Sequence, residues 1–151
     1  MPKTCPHCGG DVRLAPNSRV EHYKGLALMI PGVAVPTCEQ CDEQFISPQV
    51  ADEMQAALEK AHQQALYREF KLAMERLGAF RPPAAIARML GYSLGYFSKL
   101  SRRERNLSTP LVAFVKYLAQ DPERRLDELS QMFERPIKVS PSGDIVENPA
   151  G

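Results

Sequence analysis

Four cysteines in two matched pairs, Cys5-Pro6-His7-Cys8 and Cys38-Glu39-Gln40-Cys41, are the residues of this chain best suited to chemistry. The chain holds no other cysteine. Each C-x-x-C places two sulfurs on one tight turn. Two such turns brought together supply four thiolates in a tetrahedron, the geometry of a closed structural Zn²⁺ site. One ion per chain is expected, held by Cys5, Cys8, Cys38 and Cys41. With no open coordination position, such a site supports folding and not catalysis. Iron in a rubredoxin-type site and a thioredoxin-like redox pair are alternatives for the same residues. His7 and His22 are read as solvated, because four sulfurs already fill the site.

The local sequence suits this geometry. Pro6 sets φ for the first turn, and Gly9 supplies a permissive backbone that lets amides point back at sulfur. Asp42 follows the second pair where glycine is expected, and aspartate tolerates the left-handed region better than most residues. Between the pairs, Arg19–Tyr23 and Leu26–Met29 flank Lys24-Gly25 and predict a hairpin. Val33–Val35 leads back to Cys38, and Gln44-Phe45-Ile46 predicts a last short strand. A segment this small buries little apolar surface, so the ion is expected to be needed for folding.

Ser47-Pro48 is a helix start, a capping hydroxyl followed by proline at the first helical position. No Gly or Pro interrupts Gln49–Leu77. Val50, Met54, Leu58, Ala61, Leu66, Phe70, Met74 and Leu77 form an apolar stripe at three- or four-residue steps. The step widens to five at His62-Gln63-Gln64, so one long helix and two helices in series are both open.

Residues 81–108 carry six basic side chains and one acidic, in a chain whose net charge is only +1. A local basic patch is where a polyanion binds. The same segment reads as a helix-turn-helix. Pro82-Pro83 opens a helix to Leu90, Gly91 takes the turn, and a second helix runs through Leu94–Arg102. Ala87 lets the helices approach, while Ile86, Leu90, Phe97 and Leu100 fill the wedge between them. In that geometry the second helix enters the major groove of double-stranded DNA. Its outward residues are Ser93, Gly95, Tyr96, Ser98, Lys99 and Arg102. Lys99 and Arg102 suit base edges or nearby phosphates, and Arg103 and Arg105 suit phosphates. Thr109-Pro110 and Asp121-Pro122 open two further helices.

The expected fold class is α+β. A small β-rich four-cysteine module (1–46) is joined by a helical linker (47–66) to an all-α helix-turn-helix bundle of about five helices (67–133). A tail (134–151) holds a hairpin around Ser140–Gly143 and then a disordered end. The 151 residues are 44% hydrophobic and 25% charged, ordinary for a globular chain. No run reaches membrane-spanning length, and Met1–Cys5 offers no apolar signal segment, so no membrane partner and a cytoplasmic location are expected. No nucleophile–base pair, phosphate loop or open metal site is legible, so the chain is not expected to be an enzyme.

The order of these parts resembles the MqsA (YgiT-type) antitoxins: C-P-x-C-G at the start, a second C-x-x-C near residue 40 followed by Glu43–Pro48, a linking helix, then a helix-turn-helix domain. The resemblance covers about residues 1–133. It implies an antitoxin of a type II toxin–antitoxin system that neutralises a cognate toxin through its N-terminal half and represses its own operon. It implies zinc on Cys5, Cys8, Cys38 and Cys41, and a homodimer on a palindromic operator. Phe97-Ser98-Lys99 matches an F-S-R stretch, so Lys99 stands in place of a DNA-contacting arginine. Gly95 lies where the family has a base-reading asparagine, and Pro83 where a polar residue often meets phosphate. The alternative on the same residues is a stand-alone zinc-containing helix-turn-helix regulator without a toxin.

Overall fold

The computed structural model describes residues 2–146, with backbone alone for residues 17–19 and 30–31 of the hairpin. It has the expected α+β organisation, an antiparallel β region followed by five helices. Strands β1 (Val12–Tyr23) and β2 (Leu26–Cys38) form one long two-stranded ribbon. The ribbon turns at Lys24 and Gly25, with φ of +45° and +86°. Two consecutive positive φ values match the right-handed twist of the strands, which is why Lys24-Gly25 works as the turn. The strands extend well past the expected segments, and pairing runs from Tyr23↔Leu26 to Val12↔Cys38 with one register shift between Asn17 and Arg19. The strand expected at Gln44–Ile46 is a single bridge, Thr37↔Gln44.

Helix α1 (Pro48–Gly78) is one continuous helix, so the question of two helices is settled in favour of one. The Ser47 hydroxyl accepts the Val50 N–H at its start, as a capping serine does. Its apolar stripe divides into two uses. Leu66, Phe70, Met74 and Leu77 are buried in the helical core, whereas Val50, Met54, Leu58 and Ala61 are only half-buried.

Helices α2 (Pro83–Met89), α3 (Tyr96–Ser101), α4 (Thr109–Gln120) and α5 (Pro122–Gln131) complete the bundle. Ile86, Ala87, Phe97 and Leu100 are buried between α2 and α3, and Phe97 meets Phe70 edge-on at 5.6 Å. Each such side chain contributes roughly 1.5–3 kcal/mol by leaving water. Gly91 has φ +79°. There the Tyr92 N–H reaches Ala87 O and the Gly91 N–H reaches Arg88 O, which closes α2 with a left-handed cap. The tail forms a bridge between Val139 and Ile145 around Ser140–Gly143. The end expected to be disordered, Asn148–Gly151, lies outside the described residues.

The five-residue step at His62-Gln63-Gln64 is where the hairpin docks. The Thr109 hydroxyl donates to the Lys24 carbonyl at 2.6 Å and lies 3.0 Å from His62 Nε2. A hydroxyl has one proton, so His62 Nε2–H must be the donor to Thr109. The Gln63 side-chain amide pairs with both N–H and C=O of Leu107, each at 3.0 Å. Tyr23 stands edge-on to His62 at 5.5 Å, and its hydroxyl donates to Glu59 at 2.5 Å. Lys24 reaches the same Glu59 oxygen at 2.9 Å. These two partners, Tyr23 first, hold the Glu59 carboxyl below its ordinary value. Leu26 at the start of β2 packs on the helical core.

One hydroxyl, that of Thr109, therefore joins the hairpin tip, α1 and α4, beside the Glu59 contacts. Thr109→Val keeps the shape and removes the hydroxyl, leaving Lys24 O and the buried His62 N–H unpaired. It is expected to destabilise the protein by roughly 1–3 kcal/mol. Urea unfolding gives the magnitude, and limited proteolysis should show new cutting at Lys24. Unchanged stability and an uncut hairpin would contradict this role.

Candidate functional site

The two C-x-x-C turns are near copies of each other. In the first, the Cys5 N–H bonds Gly10 O at 2.8 Å and the Gly9 N–H bonds Cys5 O at 2.9 Å. In the second, the Cys38 N–H bonds Glu43 O at 2.9 Å and the Asp42 N–H bonds Cys38 O at 3.1 Å. The His7 amide reaches Cys5 Sγ, and the Gln40 amide reaches Cys38 Sγ, both at 3.4 Å. Gly9 and Asp42 occupy matching positions with φ of +77° and +58°. Asp42 thus adopts the left-handed conformation that the turn demands and that glycine takes in the first copy.

The β ribbon brings the turns together. Val12 pairs with Cys38, so the end of β2 lies beside the segment just after Cys8. The Glu39 N–H bonds Asp11 O at 3.0 Å and fixes one turn against the other. All four Sγ atoms lie within 4.8 Å of one another. Cys5 and Cys41 sulfurs are 3.7 Å apart, and those of Cys8 and Cys38 are 3.4 Å apart. Four sulfurs at about 2.3 Å from a tetrahedral ion are about 3.8 Å apart. The cluster therefore fits a metal ion bound by four thiolates. Cys5 and Cys38 are buried, while Cys8 and Cys41 face solvent.

Crowding four thiols spreads their acidities. The Gln40 and then the Cys41 backbone N–H groups bring Cys38 down to about 7. The Glu43 backbone favours the Cys41 thiolate, but contacts with Cys8, burial, and contacts with Cys38 and Cys5 outweigh it and push Cys41 up to about 12. Cys8 is likewise raised: the Gly10 backbone lowers it, but Cys38, burial and Cys5 prevail. A cation supplies the charge that lets all four ionise together.

Gly10 is the residue that sequence reasoning missed. A Cβ there would lie 2.9 Å from Gln40 Oε1 and 3.1 Å from Cys38 Sγ. The two turns approach so closely that any side chain at Gly10 would displace Gln40 and press on Cys38 Sγ. The Gly9-Gly10 pair was visible in the sequence, but the demand on Gly10 comes from a turn some thirty residues away. His7 and His22 are exposed, as expected of side chains outside the cluster.

The basic segment, residues 81–108, forms α2, α3 and the following turn. The second helix is shorter at both ends than the expected Leu94–Arg102: Ser98 and Lys99 are exposed on α3 and Tyr96 is half-buried, while Ser93 and Gly95 lie exposed just before it and Arg102 is the exposed residue that caps its end. Arg102 pairs with Glu104 at 3.0 Å. Among the described residues Lys99, Arg103 and Arg105 make no ion pair. Arg103 ends α3 in the left-handed region at φ +58°, with its guanidinium 5.0 Å above the Tyr67 ring. That backbone costs a non-glycine residue about 1 kcal/mol. The Arg105 carbonyl accepts the Tyr67 hydroxyl, which ties the loop to α1. Among the described residues no helix is long and apolar enough to cross a membrane.

No protein-family model matches this chain, and a search of curated proteins found no match.

Two predictions follow from the sulfur cluster. Without metal, Cys8 and Cys41 keep their protons well above neutral pH, and Cys38 loses its own near 7. Metal binding must expel at least the first two. Apparent metal affinity is therefore expected to rise by at least about a hundredfold per pH unit between roughly 7 and 9, as the release of two or more protons requires. Competition with a chelator across that range measures the slope, and a flat profile would contradict the thiol assignment. Gly10→Ala should push Cys38 out of place and lower metal affinity by roughly tenfold to a hundredfold. The same competition assay at one pH checks it.

Proposed function

We propose that this protein is a DNA-binding antitoxin of the MqsA type, with one structural Zn²⁺ per chain on Cys5, Cys8, Cys38 and Cys41. It acts in the cytoplasm as a homodimer, represses its own operon at a palindromic operator, and neutralises a toxin encoded beside it. The metal is read as zinc because four thiolates in a closed tetrahedral set suit a redox-inert ion whose task is structural.

The observation that carries the DNA-binding part is the surface of α3. A short helix follows a glycine-capped turn, is buried through Phe97 and Leu100, and offers Ser98, Lys99 and Arg102 to solvent. The surrounding segment has a strong basic excess. Phosphates attract such a face, and side chains at its centre reach base edges. Exposed apolar residues near the C-terminus, Phe133, Ile137 and Ile145 at 76%, 64% and 70%, favour association with a second copy. Two copies would present two recognition helices about one helical turn apart, ~34 Å. The toxin-neutralising part rests on the resemblance of the cysteine turns and of the segment Glu43–Pro48.

Lys99→Ala is expected to lower affinity for the operator by roughly 1–3 kcal/mol, with a smaller effect on random DNA. Arg103→Ala should weaken both alike and flatten the salt dependence by about one counterion. Salt titrations of both variants on both duplexes test this, and two variants with unchanged affinity would sink the DNA assignment. Co-purification from the native host tests the toxin. A complex with the product of the adjacent reading frame supports the antitoxin role, whereas a lone dimer on DNA favours the stand-alone regulator.

A further inference from the structure

The recognition face of α3 is divided between two chemistries. Its later part is cationic, with Lys99 and Arg102 exposed. Its entrance is apolar. Leu94 is 54% exposed and Tyr92 is 37% exposed. The Tyr92 and Tyr96 rings stack at 4.4 Å with only 9° between their planes. Both rings also lean on Phe97, at 6.0 and 6.3 Å, so the stack is braced by the buried core. Gly95 sits between Leu94 and Tyr96, and a Cβ there would meet nothing within 4 Å. The absent side chain leaves open space beside an apolar lip.

The first residues of a recognition helix are those that meet base edges in the major groove. Here they offer no amide or guanidinium. Only one feature of the major-groove edges is itself apolar, the C5 methyl group of thymine. Leaving Leu94 and the tyrosine stack exposed is unfavourable in water and becomes favourable against a methyl group, while the cationic end sits on the polyanion. We propose that Leu94 and the Tyr92–Tyr96 stack determine sequence specificity by packing against thymine methyl groups at the outer positions of each half-site. This rests on the DNA-binding function proposed above. Lys99, a turn further along α3, then contacts a neighbouring base or phosphate.

The test uses the full-length metal-loaded protein. A duplex is enriched from a randomised pool, then synthesised twice, once with thymine and once with deoxyuridine at every thymine position. Uracil keeps the pairing edge and loses only the methyl group. Affinity is expected to fall about fourfold for each methyl that the protein buries, as the burial of one carbon group implies. A random duplex given the same replacement should lose nothing. Leu94→Ala, at an exposed position that leaves the core intact, should bind the thymine duplex more weakly and discriminate less between the two. Equal binding of the thymine and deoxyuridine duplexes overturns the inference and leaves the DNA-binding reading standing. No enrichment from the pool overturns both. Tighter binding to one separated strand than to the duplex overturns the inference in favour of base stacking on the exposed rings.

Discussion

Four sulfurs drawn within 4.8 Å of one another close the open end of the β1–β2 ribbon. A two-stranded ribbon is marginal in water because neither strand gains a second neighbour. Among the described residues its own apolar cluster is small, consisting of Cys5, Val12 and Cys38 with Phe45 against them. Cys5 and Cys38 thus belong both to the core and to a cluster that could hold a metal ion. A bound cation would offset much of the charge of four adjacent thiolates, which lie beside the Val12–Cys38 pair at the end of the ribbon. At the far end the tip is held by Thr109, His62 and Glu59. Between these two attachments Leu28 and Val35 of β2 are also buried.

Helix α1 ties the two parts together because its faces change purpose along its length. Its first half carries Gln55 and Glu59, which meet Tyr23 and Lys24 at the hairpin tip. Its second half supplies Leu66, Phe70, Met74 and Leu77 to the bundle that positions α3. The ribbon tip and the helical bundle are therefore both attached to one continuous helix.

Local constraints were legible in the sequence, and those made by distant partners were not. The C-x-x-C spacing, the Lys24-Gly25 turn, the Ser47-Pro48 start and the Gly91 cap are each decided within a few residues. The five-residue step in the α1 stripe was visible, but its cause was hidden. His62 and Gln63 break the apolar pattern because they bond residues 47 and 44 positions away. Gly10 looks like a second permissive glycine until the opposing turn is placed against it. Arg103 gave no signal of its left-handed backbone, since arginine is an unfavourable choice there and only the Tyr67 ring above α1 gives its guanidinium a seat. The basic excess of residues 81–108 was plain, but the apolar lip of Tyr92, Leu94 and Tyr96 emerges only once the rings are seen to stack.

One cation on four thiolates is proposed to hold the outer half of the ribbon in place. Hydrogen exchange of the full chain, compared between the metal-loaded form and the form stripped by a chelator under reducing conditions, tests it most directly. The account predicts that stripping removes protection around Cys5–Val12 and Val35–Phe45 while α1, α4 and α5 keep theirs. Protection that stays the same in both regions after the metal has gone would contradict it.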